Sequence, residues 1–472
     1  MDQTTLKQQL DEYFDAHANE MLDSICRLIR IRSDRTDPKP GMPYGEGPAA
    51  VLKEAIQIAD ELGFSTRNYD NHVAAVDFNN REKQLDILSH LDCVPVGDDW
   101  TVTAPFEPII RDGRLYGRGA VDDKGPSMCA LYAMKAIRDL GVPLSKNVRL
   151  IMGADEECGG EDVEYYYSLE QEAPNTFSPD ADYPLINIEK GSLGGHITAS
   201  WEKTDVLPRV SSMKSGTRTN VIPDAASATV LGLTPDDIAG TLARFEQETG
   251  VSFTAEAVDG GVLISAMGRS GHASTPENGN NGLTALIGLL AALSLAPSKI
   301  RDAILALAKL FPHGDYHGAA LGVDLQDEES GRLTLSLDLM DLNDTGLSTF
   351  FDSRAPLCAN DENLTQTARE ALAKEGLTMD ANDRMGPPHY VPADSPFIQT
   401  LLGCYELYTG EKGKPIAIGG GTYVHSLENG VAFGIMHEGT DYHMHGADEF
   451  AIVDELIMSA KIFASSIVAL CA

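Results

Sequence analysis

Residues 85–92 read LDILSHLD, an apolar run that stops at a histidine and is followed two positions later by a carboxylate. Alternate residues of a strand point to one side, so His90 and Asp92 can reach a common partner. Leu85, Ile87 and Leu88 fit a short strand buried in a sheet. A carboxylate that holds the imidazole of a metal-bound histidine is a recurring arrangement. His90 is therefore a candidate first ligand of a metal site, and later segments must bring the other ligands to it.

Working outward, residues 1 to about 33 show apolar faces at helical spacing, Leu6, Leu10, Tyr13 and Phe14 in one helix and Met21, Leu22, Ile25, Leu28 and Ile29 in another. A Pro- and Gly-rich loop at 35–48 precedes a helix over 49–62, and short strands are expected at 66–69 and 73–78. Beyond the opening stretch, Asp112–Gly113 sits between two apolar pairs and signals a hairpin. The loop GRGAVDDKG (117–125) runs into a helix marked by Met128, Leu131, Met134 and Ile137. Asp122 thus sits just before a helix N-terminus, where an N-cap would also want it. The strand NVRLIM (147–152) leads to GADEECGG, which places Glu156 and Glu157 side by side. Adjacent carboxylates repel and are costly to bury unless a cation or a shared proton intervenes. Asp180 precedes a further strand at 185–189. Open α/β sheets bind ligands outside the carboxyl ends of their strands, and these residues all fall there.

From about residue 191 the texture changes to short β segments alternating with helices at 235–248 and 282–296, then strands at 333–341 and a helix at 363–374. The expected fold class is α/β. A mixed, mostly parallel sheet flanked by helices (1–190 and 385–472) is interrupted by an inserted α+β domain (191–384), which reads as internally duplicated.

Composition bounds the function. Asp and Glu number 71 against 36 Lys and Arg, a formal net charge of −35. Nucleic acid and anionic membrane surfaces need basic patches, so neither is an expected partner. The seven cysteines are scattered with no C-x-x-C, which fits reduced thiols in a cytoplasmic protein. The greasiest run, 283–297, is too short to span a bilayer.

The candidate ligands are His90, Asp122, Glu157, Asp180 and a histidine from His443 or His445. All are nitrogen or oxygen donors, which suits zinc, manganese or cobalt in a hydrolytic site. Five are too many for one catalytic zinc but suffice for two metals if one carboxylate bridges. One of the paired glutamates can then be a ligand and the other a general base.

The series H-x-D at 90–92, GRGAVDDKG, DEE at 155–157, PDA at 179–181 and MHGADE at 444–449 resembles that of the co-catalytic zinc aminoacylase/carboxypeptidase family. DDKGP, GGGTY at 419–423, GVAFG at 430–434 and HYVP at 389–392 make it most similar to the PepV-type dipeptidases. The resemblance implies a dinuclear metallopeptidase that hydrolyses unblocked dipeptides; a deacylase of N-acyl amino acids, of acetylornithine or succinyl-diaminopimelate type, is the alternative. It implies two divalent ions, zinc first, with manganese or cobalt possible. Asp122 would bridge them, His90 and Asp180 would complete one site, and Glu157 and His445 the other. Glu156 would be the general base, and Asp92 would hold His90. In the inserted domain, which would act as a lid, His272 would stabilise the oxyanion. Asn220 and Arg354 would hold the peptide backbone and carboxylate, and Gly420, Gly421 and Thr422 would offer backbone N–H groups. A lid of this length implies a monomer acting on a small peptide.

Overall fold

The computed structural model describes residues 3–472; the first two residues of the expected N-terminal helix lie outside the described residues. The chain divides into two compact units. One holds the described residues up to Ile188 with Tyr390–Ile416 and Gly421–Ala472; the other holds Glu189–His389 and Ala417–Gly420.

The sheet of the first unit is built around the opening stretch. Lys83–His90 is a strand whose last six residues are all buried, with Leu85, Ile87 and Leu88 fully so. Each such side chain contributes roughly 1.5–3 kcal/mol on burial, which is why this segment occupies the middle of the sheet. It runs parallel to Asn147–Gly153 on one side and to Asn175–Ser178 on the other. Gly430–Ala432 continues the parallel set beyond Asn175–Ser178. The flanks are antiparallel: Val73–Asp77 and Ser65–Tyr69 at one margin, Ile186–Glu189 toward the other. The parallel centre therefore presents the carboxyl ends of four strands at one edge.

Helices cover the sheet. Lys124–Asp139, with only Lys135 and Arg138 of its first fifteen residues short of full burial, packs against Val453–Cys471 and Gln3–Ile29 in the same apolar core. The N-terminal segment is one continuous helix, Gln3–Ile29, where the sequence pattern suggested more than one. No Gly or Pro interrupts it, so the polar stretch between its two apolar faces costs no backbone continuity.

The second unit is an eight-stranded sheet with its own core. Ser252–Val258, Gly261–Met267, Ala225–Leu231 and Arg209–Ser215 form four consecutive strands, and Thr334–Asn343, Gly346–Ala355, Gly191–Ser200 and Thr378–Met379 form the other four. The helix expected over 282–296 ends at Ala292. Pro297 disfavours helix at the residue before it, and the extended chain is instead held by Ala296 N donating to Pro208 O at 2.8 Å. A helix at Lys299–Leu310, whose N-terminus is capped by the Ser298 hydroxyl, was not anticipated.

Candidate metal centre

The first unit gathers its charged residues where the parallel strands end. His90 is the last residue of its strand, Glu156 and Glu157 open a short 3-10 turn just past Gly153, and Asp180 follows Ser178 by two. Asp122 comes from the loop before Lys124–Asp139, and His445 from the loop before Phe450–Ile452. His445 has a positive φ of 62°, a left-handed backbone that a non-glycine residue adopts only when its surroundings hold it there.

These side chains converge. His90 Nε2 lies 2.9 Å from Asp122 Oδ1 and 3.5 Å from Asp180 Oδ2. His445 Nε2 lies 2.9 Å from Asp122 Oδ2 and 3.2 Å from Glu157 Oε1. Two triads result, His90–Asp122–Asp180 and Asp122–Glu157–His445, each with its donor atoms within 4.8 Å of one another. Asp122 belongs to both, one oxygen in each. His443, the alternative histidine, belongs to neither triad: its Nδ1 is 3.2 Å from Ala447 O.

The electrostatics test whether cations fit. Both ring nitrogens of His90 and Glu157 Oε1 are buried without a hydrogen-bond partner of acceptable geometry among the described residues, although carboxylate and imidazole atoms lie within 3.5 Å. Burial pushes the Glu156 carboxyl well above its ordinary range, and Asp180, Glu157 and Asp122 push it the same way. Burial likewise raises Glu157 and Asp180, with Asp122 adding to both. Burial opposes protonation of His90, yet Asp122, Asp180 and Asp92 together raise it well above the usual imidazole value. Asp122 and Glu157 lift His445 to about 10. Burial would also raise Asp122, but His445 and His90 hold it far below the carboxylate range. The cluster is thus an excess of buried negative charge that keeps protons to offset it. Divalent cations do that work better, and the nitrogen and oxygen donors suit zinc, manganese or cobalt.

A second layer fixes these groups. Asp92 Oδ1 lies 3.3 Å from His90 Nδ1, and the same carboxylate accepts the backbone N–H groups of Glu156 and Glu157, each at 3.1 Å. His90 and the glutamate pair therefore hang from one side chain. Asp123, at the N-cap of its helix, accepts His90 N–H at 3.0 Å instead of capping. The buried Arg118–Glu449 ion pair joins the Asp122 loop to the His445 loop. Glu449 Oε1 also accepts Gly119 N–H at 3.0 Å and Val121 N–H at 3.2 Å, while Arg118 Nη2 donates to Gly446 O at 3.0 Å. Asp162 accepts Asp155 N–H at 2.9 Å and the Tyr423 hydroxyl at 2.6 Å. A Cβ at Gly153 would meet that hydroxyl at 2.2 Å, so only glycine fits beneath the glutamate turn. Sequence reading did not single out Asp123, Arg118, Glu449, Asp162 or Tyr423 for these tasks, although Arg118, Asp123, Glu449 and Tyr423 lie inside the quoted motifs.

The remaining expected residues fall mostly in the second unit, which draws them together by itself. Val221 pairs with His272, and Ala273 N–H donates to Asn220 O at 2.9 Å. His272 Nδ1 is 2.6 Å from the Ser274 hydroxyl. Arg354 forks onto Asp352 at 2.8 and 3.0 Å and donates through Nη1 to Gly419 O at 2.9 Å. A Cβ at Gly419 would meet Ser274 Cβ at 2.9 Å, so this turn lies against the His272 hairpin. Gly420 closes the second unit, whereas Gly421 and Thr422 belong to the first, where the Thr422 hydroxyl accepts Val424 N–H at 3.3 Å.

Comparison with known proteins places this arrangement. The sequence pattern of "Peptidase family M20/M25/M40" matches residues 87–469. A Bacillus subtilis (strain 168) protein that bears a dipeptidase name, YtjP, is 36% identical over 457 residues, 95% of this chain and 96% of its own. The Beta-Ala-Xaa dipeptidase of Lactobacillus delbrueckii subsp. lactis is 33% identical over 462 residues, 97% of each. Human carnosine dipeptidase 1 is similar in fold, with a TM-score of 0.59 at 14% identity over 98% of both chains.

Proposed function

The chain belongs to the peptidase family M20/M25/M40, and from that premise we propose that it is a dipeptidase that hydrolyses the amide bond of unblocked dipeptides. One observation carries the reading: two ligand triads share Asp122, with Glu156 anchored beside them through Asp92. His90, Asp122 and Asp180 would hold one divalent ion and Asp122, Glu157 and His445 the other, zinc first, with manganese and cobalt suited to the same donors. When bound, the ions polarise the amide carbonyl, acidify the attacking water and restore charge to the surrounding carboxylates.

The chain's own residues do the rest. Glu156 takes the proton from water and returns it to the leaving amine; burial raises its proton affinity and the bound cations would lower it. Asp92 keeps that base and the His90 ring in fixed register. In the second unit, His272 is assigned to the oxyanion, its orientation set by Ser274. Arg354 is assigned to the substrate carboxylate. Asp352 and Gly419 take three of its five N–H groups, which leaves one on each terminal nitrogen for a carboxylate. Asn220 and the Gly420–Gly421–Thr422 turn are assigned to the peptide backbone.

We assign the protein to the cytoplasm, as a monomer. Seven free thiols support a reducing compartment, and no described helix is long and apolar enough to cross a membrane. If a His272→Ala and a Glu156→Ala protein regain activity on mixing, the histidine acts across subunits and the monomer reading fails. The activity is tested by turnover of Ala-Ala and β-Ala-His against N-acetyl amino acids with metal-loaded protein. Hydrolysis of the acylated panel alone would replace dipeptidase with deacylase.

A further inference from the structure

A groove of about 550 Å³ in the first unit has Glu156 in its lining. One wall is a face of the helix Glu161–Leu169, from which Val163, Glu164 and Tyr167 project at helical spacing. The other wall is formed by Thr422, Tyr423, Ser426 and Leu427. The floor is apolar: Val163, Tyr423 and Leu427 line it while being only 6%, 8% and 5% exposed. The rim is anionic. Glu164 and Glu172 are exposed there, and Glu172 Oε2 is fixed by Glu428 N–H at 3.2 Å. Among the described residues, no Lys, Arg or His lines the groove.

An apolar floor below an anionic rim matches a side chain with an aliphatic stem and a cationic end. An acidic side chain would be repelled, and a neutral aliphatic one would gain the floor without the rim. Glu156, assigned to the water that attacks the amide carbonyl, also lines this groove, and that carbonyl belongs to the amino-side residue. We propose that this groove receives the basic side chain of the amino-side residue, so that lysyl and arginyl dipeptides are preferred substrates. The inference rests on the dipeptidase reading, and its test separates the two.

Calorimetry on metal-loaded protein compares lysinamide with norleucinamide, which share a stem and differ in the cationic end. Lysinamide is expected to bind about 5-fold more tightly, the range of a pair of exposed charges, with the difference shrinking as salt is raised. In Glu164→Gln/Glu172→Gln the two ligands become equal, whereas Glu161→Gln, outside the groove, keeps the preference. Equal binding by the unaltered protein, or a preference that survives in the double variant, overturns the proposal. Ala-Ala turnover, measured separately, judges the dipeptidase reading. If Ala-Ala is hydrolysed, Lys-Ala over norleucyl-Ala in kcat/KM must follow the same order, and a ratio near one overturns the groove.

Discussion

The two groups of candidate residues are built on opposite principles. In the first unit, His90 and Asp122 are 1% and 5% exposed, and buried carboxylates and backbone N–H groups fix what surrounds them. In the second unit, Asn220 and His272 are exposed and are placed by a short β pairing. Apart from the half-exposed His445, the first group holds charge where water is scarce, so its members need partners and a loss leaves another charge uncompensated. Asn220 and His272 face solvent, so either can be changed singly at small cost to the fold. Charge chemistry here is expensive to build and recognition is cheap.

The largest test of that contrast is Glu156→Gln. It should lower kcat roughly 10³-fold while metal content, read by elemental analysis, stays full; a variant that remains active puts the base elsewhere. Next, Glu449→Ala strands Arg118 and should cost about 3–5 kcal/mol in denaturant unfolding. His272→Ala should cost under about 0.5 kcal/mol yet lower kcat. Equal stability losses would erase the distinction between the regions. Asp92→Asn loosens His90 and the glutamate turn together and should weaken metal affinity about 10–100-fold in chelator competition. Arg354→Lys loses the planar fork and should raise KM about 10-fold for free dipeptides but leave dipeptide amides unaffected.

A pH test concerns the one strongly perturbed carboxyl of the second unit. Asp338 is wholly buried, with Oδ2 unpartnered among the described residues, and burial pushes it up to about 9, with Asp352 adding to the rise. The folded protein then keeps this proton while the unfolded chain loses it near 3.8. Stability falls as pH rises between those values. Asp338→Asn lacks this dependence, so its Tm relative to the unaltered protein should improve from pH 5 to pH 8. A gap that moves the other way removes Asp338 as the source.

Much of the site was legible because strand ends are legible. An apolar run that stops at His90, and another that stops at Gly153 before Glu156 and Glu157, mark the edge where ligands gather. The helix after Asp122 was readable from its apolar spacing. What stayed hidden was pairing. Arg118 and Glu449 lie 331 positions apart, and nothing local says that either is buried. The sequence offered Asp122 as the helix cap; the N-cap position falls to Asp123, whose side chain takes the His90 N–H instead of capping. The helix Lys299–Leu310 did carry a signal, with Ile300, Ile304 and Leu307 at helical spacing behind a capping serine.

Gly430–Ala432 sits beside Asn175–Ser178 in the centre of the first sheet, although the whole second unit is synthesised between them. A ribosome therefore delivers Glu189–His389 before the host sheet has its last parallel strand. The insert has its own core and can collapse early, while the host waits with a gap and closes through long-range contacts. His445 emerges later still, so the nascent chain cannot bring both candidate triads together until that loop has been made. The order of synthesis thus withholds hydrolytic competence until the fold that controls it is complete.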